Sequence, residues 1–279
     1  MFRSIALCLL LVVAAPAAGQ AVFDTHVHLR EGEASLATYE REVAASGLEL
    51  AGVAAMWFGG PQQARAGDPA AIRAGNDGII ALARAHPSVV PVATVHPYDD
   101  QAALDELARV AAAGVRVLKL HPHTQRFDLG DARVLPLVRR AGELGMVVLL
   151  DNAGIVAGDS QALFELAVRA PKTRFIFAHM GGLDFRFWNI LALARTAEDF
   201  FAENIHFDIS GTVLLAPGSP LEAEFVWTLR NVGIERILIG SDHPQISLAR
   251  TVQALERLDL TDEEKAKIRS GNARRLFGR

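Results

Sequence analysis

Short runs of β-branched and other apolar residues alternate along this chain with longer Ala/Leu/Glu/Arg-rich stretches whose apolar positions recur at helical spacing. The short runs Val22–Val27, Leu50–Met56, Val89–Val95, Val115–Leu120, Val147–Asp151, Arg174–Ala178, Ile205–Ile209 and Arg236–Ile239 predict strands. Between them Gln101–Ala113, Ala132–Leu144, Gln161–Ala170 and Leu221–Asn231 predict amphipathic helices, and Gly47, Gly114, Gly145 and Gly233 stand where helices stop. About eight strand–helix units in one chain predict an α/β fold of the TIM (β/α)8 barrel type. A doubly wound open sheet is the alternative, but no Gly-x-Gly-x-x-Gly follows the first strand. Gly59–Asn76, with Pro61 and Pro69, reads as a long loop after the second strand, of the kind that covers a site.

In such a barrel, chemistry gathers at the C-terminal ends of the strands, and the unusual polar residues fall there. The first strand ends in His26 and His28, the fourth in Lys119 and His121, the fifth in Asp151-Asn152, the sixth in His179 and the eighth in Asp242. Alternation makes Asp24/His26/His28, Lys119/His121, Leu149/Asp151 and Gly240/Asp242 same-face sets, so an i, i+2 histidine pair can grip one metal ion. Each residue taken alone has a plainer explanation: Lys119 snorkelling to the rim, His179 as a satisfied core imidazole, Asp242 as a helix cap. His121, Gln125 and Arg126 are candidates for holding a substrate carboxylate, and Trp57 for an apolar pocket wall. His86 and His206, at strand beginnings, fall at the opposite barrel face and are read as structural.

Of the 279 residues, 51% are hydrophobic and 22% charged, which suits one large domain over residues 20–279. A formal net charge of -4 with no dense Lys/Arg tract argues against a nucleic-acid partner and leaves a small-molecule substrate. Residues 1–19 have the pattern of a signal peptide: Arg3, the apolar Ile5–Ala15, and the small-residue site Ala15-Pro16-Ala17. Export to the periplasm or the medium is therefore expected, with no membrane association after cleavage. Cleavage would also remove Cys8, the only cysteine, so thiol catalysis and cysteine ligation are excluded. The oligomeric state is not legible.

"DTHVHL" at 24–29, "LKLHPHTQ" at 118–125, "FIFAHMGG" at 175–182, "ILIGSDHP" at 237–244 and the terminal "LTDEEKAKIRSGNARRLFG" at 260–278 together resemble the amidohydrolase superfamily, in its amidohydrolase-related branch. The resemblance implies a divalent metal, zinc in the first place with manganese as the other choice, held by His26, His28 and Asp242. His179 would bind a second metal or stabilise an oxyanion, and Asp242 would also move a proton. One departure stands out: where the family ends its fifth strand with a metal-binding histidine, this chain has Asp151-Asn152. Asp151 as an oxygen ligand, or Lys119 as a carbamate, could fill the gap. The expected activity is metal-dependent hydrolysis of an amide, ester or lactone bond. A decarboxylase or hydratase is the alternative, followed by a metal-independent lactonase-like protein or a non-catalytic binder.

Overall fold

A computed structural model describes residues 21–60, 62–197 and 203–278 of the chain. The leader read over 1–19 lies outside them. Eight parallel strands pair in sequence order: β1 (Ala21–His28), β2 (Glu49–Met56), β3 (Val89–Ala93), β4 (Val117–Leu120), β5 (Val147–Leu150), β6 (Arg174–Phe177), β7 (Ile205–Asp208) and β8 (Ile237–Leu238). The sheet returns on itself where Thr25 N donates to Ile239 O at 3.0 Å and Asp242 N to His26 O at 2.8 Å. The result is the (β/α) barrel that the alternation of runs predicts.

Helices α1 (Glu33–Ala45), α2 (Pro69–Ala85), α3 (Asp100–Ala112), α4 (Pro122–Gln125), α5 (Val134–Glu143), α6 (Asp159–Arg169), α7 (Ile190–Ala194), α8 (Glu222–Val232) and α9 (Leu248–Arg257) surround it. Two apolar layers result. Ala54, Met56, Val90, Val92, Val117, Val147, Leu149 and Ile176 fill the barrel interior, while Val53, Ala55, Leu118, Leu120, Val148 and Leu150 meet the helices. The terminal "GNARRLF" segment closes the far end. Asn272 Nδ2 donates to Ile234 O and Ile237 O at 2.7 Å each, and Phe277 packs on Phe23 with ring centroids 5.5 Å apart.

Two expectations need correction. The stretch read as a loop over Gly59–Asn76 ends at residue 68, because Pro69 opens α2 and Asp68 caps it by accepting from Ala71 N at 3.0 Å. Its Ala-rich sequence carries helix propensity that the two prolines conceal. Asp24 is the second. The β1–β2 register slips between Asp24 and Val27, so Asp24 does not share the face of the histidines. Its carboxylate accepts from Tyr39 of α1 at 2.8 Å and from Ser241 N at 2.8 Å, tying β1 to the turn after β8. Burial pushes the Asp24 carboxyl up to about 6. His86 caps the end of α2 and meets Glu33 at 2.8 Å, away from the strand ends. No helix among the described residues is long and apolar enough to cross a membrane.

Candidate active site

A cavity of about 510 Å³ opens at the C-terminal mouth of the barrel. His26, His28, His121, Asp151, His179 and Asp242 all line it, from five strand ends, together with Arg30, Phe58, His123, Thr124, Ile155 and Val156. His26 and His28 come from strand β1, His26 within its register slip. Asp242 and His179 come from no strand: β8 ends at Leu238 and β6 at Phe177, and both residues stand in turns with left-handed backbone, φ 62° and 59°. Gly240 leaves room for this turn, since a Cβ there would sit 2.8 Å from His26 Cβ.

On the β1/β8 side, one ligand atom from each of His26, His28 and Asp242 lies within 4.8 Å of the other two. The second nitrogen of each imidazole is already committed. His26 Nδ1 donates to Asp208 Oδ2 at 3.1 Å, and His28 Nδ1 donates to the Phe58 carbonyl at 2.5 Å. The Nε2 atoms of both rings turn toward Asp242 Oδ1, at 3.5 Å and 3.2 Å. Burial, and then the Lys119 ammonium, push His26 down and keep it uncharged. Against burial, the hydrogen bond from His28 and the His179 charge hold the Asp242 carboxyl below the usual carboxylate range. Two imidazole nitrogens and a carboxylate oxygen this close together, on rings oriented through their Nδ1 atoms, fit a divalent ion.

The β4–β6 side is built differently. Asp151 Oδ1 lies 3.3 Å from His179 Nε2 and 3.5 Å from His121 Nε2. His179 Nδ1 donates to Ser210 O at 3.0 Å, so both of its nitrogens face acceptors, an arrangement that favours the imidazolium. Burial opposes that charge, but the Asp151 hydrogen bond and the carboxylates of Asp151, Asp208 and Asp242 raise it to about 9. His121 Nδ1 instead accepts from Thr124 N, at 3.5 Å, and burial pushes that ring down to about 4. Despite burial, the hydrogen bond from His179 and the charges around it hold Asp151 well below the usual carboxylate range.

Asp151 thus faces the cavity, as its parity predicts, yet it stands between two imidazoles and outside the compact His26/His28/Asp242 set. Asn152 is turned away, with its Oδ1 accepting from Ser160 at 3.3 Å. Lys119 is buried beneath the mouth, its Nζ 3.4 Å from His26 Nε2.

Three residues read as substrate contacts do not line the cavity. Gln125 is buried, accepting from His121 N at 2.8 Å and donating to Val95 O at 3.0 Å, so its amide braces the loop after β4. Arg126 points outward from a left-handed turn. Trp57 faces α2, where Nε1 donates to Asn76 Oδ1 at 3.1 Å; its neighbour Phe58 forms the wall instead. Met56 and Phe58 share a parity, and that was the available signal. The same signal marks Arg30, two residues beyond His28. Asp208, which holds His26 and accepts from His179 N at 3.3 Å, was equally legible as an acid ending β7.

Solved structures with the same architecture include an uncharacterized TIM-barrel protein from Bordetella bronchiseptica (TM-score 0.73, 17% identity, 93% of this chain and 100% of that one). A 5-carboxyvanillate decarboxylase from Sphingomonas paucimobilis aligns with TM-score 0.68 and 16% identity over 94% of this chain and 99% of that one. A dihydroxybenzoic acid decarboxylase from Polaromonas, solved with manganese and the inhibitor 2-nitroresorcinol, aligns with TM-score 0.65 and 18% identity over 93% and 97%. A search of curated protein sequences returns no significant match. A family profile described as Amidohydrolase matches residues 23–279, nearly the whole described chain, and the protein belongs to the amidohydrolase family.

Proposed function

We propose that this protein is a metal-dependent lyase that removes a carboxylate from a small organic acid. The observation that carries the reading is His179, whose two ring nitrogens both face acceptors, Ser210 O and Asp151, so that it is suited to hold a proton 5.2 Å from the His26 ring. Decarboxylation needs an acid at the carbon that loses carbon dioxide, whereas hydrolysis needs a base for water. Similarity to manganese-containing decarboxylases supports the same choice, and favours manganese over zinc at His26, His28 and Asp242. The hydrolase expected from the family resemblance becomes the second reading.

A divalent cation in this donor set supplies Lewis-acid polarisation of a substrate oxygen. The remaining work belongs to the chain. Asp208 and the Phe58 carbonyl hold His26 and His28 by their Nδ1 atoms, so that both Nε2 atoms face Asp242. Asp151 and Ser210 hold the His179 ring by its two nitrogens. As the bond between the substrate carbon and its carboxylate breaks, the electron pair stays on carbon and takes the proton from His179 Nε2. Carbon dioxide leaves, and His179 regains a proton from solvent.

The deciding experiment is product analysis of the manganese-loaded protein on aromatic acids, a lactone and an amide. Release of carbon dioxide from an acid is the expected result. Turnover of the lactone or amide without it assigns the hydrolase reading, and full activity after exhaustive chelation removes the metal from either. Cleavage of residues 1–19 and export belong to the same proposal, on the strength of Arg3, Ile5–Ala15 and Ala15-Pro16-Ala17. Protein recovered from the periplasm should then begin near Gln20, and an intact Met1 on cytoplasmic protein would refute export.

A further inference from the structure

The decarboxylase reading leaves one cation at the mouth without a task. Arg30 follows His28 by two residues and lines the cavity, where its Nε is buried with no hydrogen-bond partner. Among the described residues it makes no ion pair, although a buried guanidinium nitrogen left unsatisfied is destabilising. Its position is not accidental slack. Gly59 and Gly60 pack against His28 and Arg30, and Gly59 N donates to Gln62 O at 2.7 Å. A Cβ on Gly60, at φ 56°, would sit 2.6 Å from Arg30 Cζ, and a Cβ on Gly59, at φ 133°, 2.5 Å from His28 Nδ1. One turn with two glycines therefore seats the metal-side histidine and the arginine together. Phe58, Ile155 and Val156 give the same cavity an apolar wall.

We infer that Arg30 anchors a second carboxylate of the substrate, distinct from the one that reacts, so that the preferred substrates are small dicarboxylic acids whose apolar body lies against Phe58, Ile155 and Val156. A planar guanidinium matches a carboxylate by two parallel hydrogen bonds, and the orphaned Nε is one of the donors such a pair uses. The inference rests on the proposed function for the location of the substrate, and adds its class.

Binding of isophthalate and of benzoate to the manganese-loaded protein tests it by calorimetry. Wild type should bind isophthalate about ten-fold or more tightly than benzoate, the worth of one charge-assisted pair. Arg30→Gln should erase that preference while benzoate binding and manganese content stay unchanged. Arg30→Lys, which keeps the charge but not the fork, should retain part of it. Gly60→Ala leaves Arg30 in place but displaces it, and should weaken isophthalate alone; this variant keeps the test intact if Arg30→Gln does not fold. Equal affinities in wild type, no isophthalate binding, or equal losses for both ligands in Arg30→Gln would each overturn the inference. The decarboxylase reading fails separately, by the absence of carbon dioxide release, which leaves the ligand preference readable.

Discussion

On the β1/β8 side of the cavity one oxygen of Asp242 meets the Nε2 atoms of His26 and His28 at 3.5 Å and 3.2 Å, while on the β4–β6 side one oxygen of Asp151 meets those of His179 and His121 at 3.3 Å and 3.5 Å. The residue types are the same, two histidines and an aspartate. What differs is the charge around the leading ring of each pair. The Lys119 ammonium stands 3.4 Å from His26 Nε2 and helps keep that ring uncharged, whereas His179 has acceptors at both nitrogens, Ser210 O and Asp151, and is raised to about 9. An uncharged ring can lend its lone pair to an outside cation, and a ring between two acceptors is balanced by its own proton. The surrounding charges, more than the residue types, separate a half suited to a metal from a half suited to a proton.

His28→Ala should break the first half outright. Bound manganese should fall from one equivalent to near none, and activity by about a thousand-fold or more, as expected when Lewis-acid stabilisation is lost. Metal analysis and turnover on the same preparation check it, and a variant that keeps its metal would move the site elsewhere.

Asp151→Asn should break the other half while sparing the first. Activity should drop about a hundred-fold or more, the usual worth of an acid–base group, with manganese retained. Loss of metal in step with activity would instead make Asp151 a ligand, the role its place at the end of β5 first suggests.

The chelated protein should show the contrast in its pH dependence. His179, raised to about 9, contributes stability that is fully present below its unfolded value near 6.5 and is lost as pH rises through 9. His121, lowered to about 4, works the opposite way, so that stability present above 6.5 is lost as pH falls toward 4. Thermal melts of wild type should therefore decline on both flanks, and His179→Gln should flatten the alkaline flank only. An unchanged alkaline flank in that variant would assign the decline to another group.

Tyr39→Phe should give the smallest effect. It leaves Asp24 Oδ2 without the hydroxyl at 2.8 Å, costing about 1–2 kcal/mol in thermal stability. Because Asp24 also ties β1 to the turn bearing Asp242, manganese affinity should weaken a few-fold; titration that shows no change would make this link purely structural.

The pattern of apolar runs by itself determined the barrel, because a period of two and a period near 3.6 each leave a signature that needs no neighbour to read. It also brought His26, His28, Asp151, His179 and Asp242 to one mouth, since strand ends in a closed parallel sheet converge wherever the strands lie. Alternation was the right guide for Asp151, and would have marked Phe58 and Arg30 as well. It fails at Asp24, where a register slip turns the side chain toward α1, and it does not explain His179 or Asp242, which reach the cavity through left-handed turns after their strands have ended. Gln125 is polar, follows β4 and still serves only its own loop, because its amide finds backbone partners that are close in space and remote in sequence: Ala64 and Val95. The protonation of each histidine was likewise decided only by the tertiary structure. A ring nitrogen's role depends on which acceptor folding brings to the other nitrogen, and for His26 that acceptor is Asp208, six strands further along the chain.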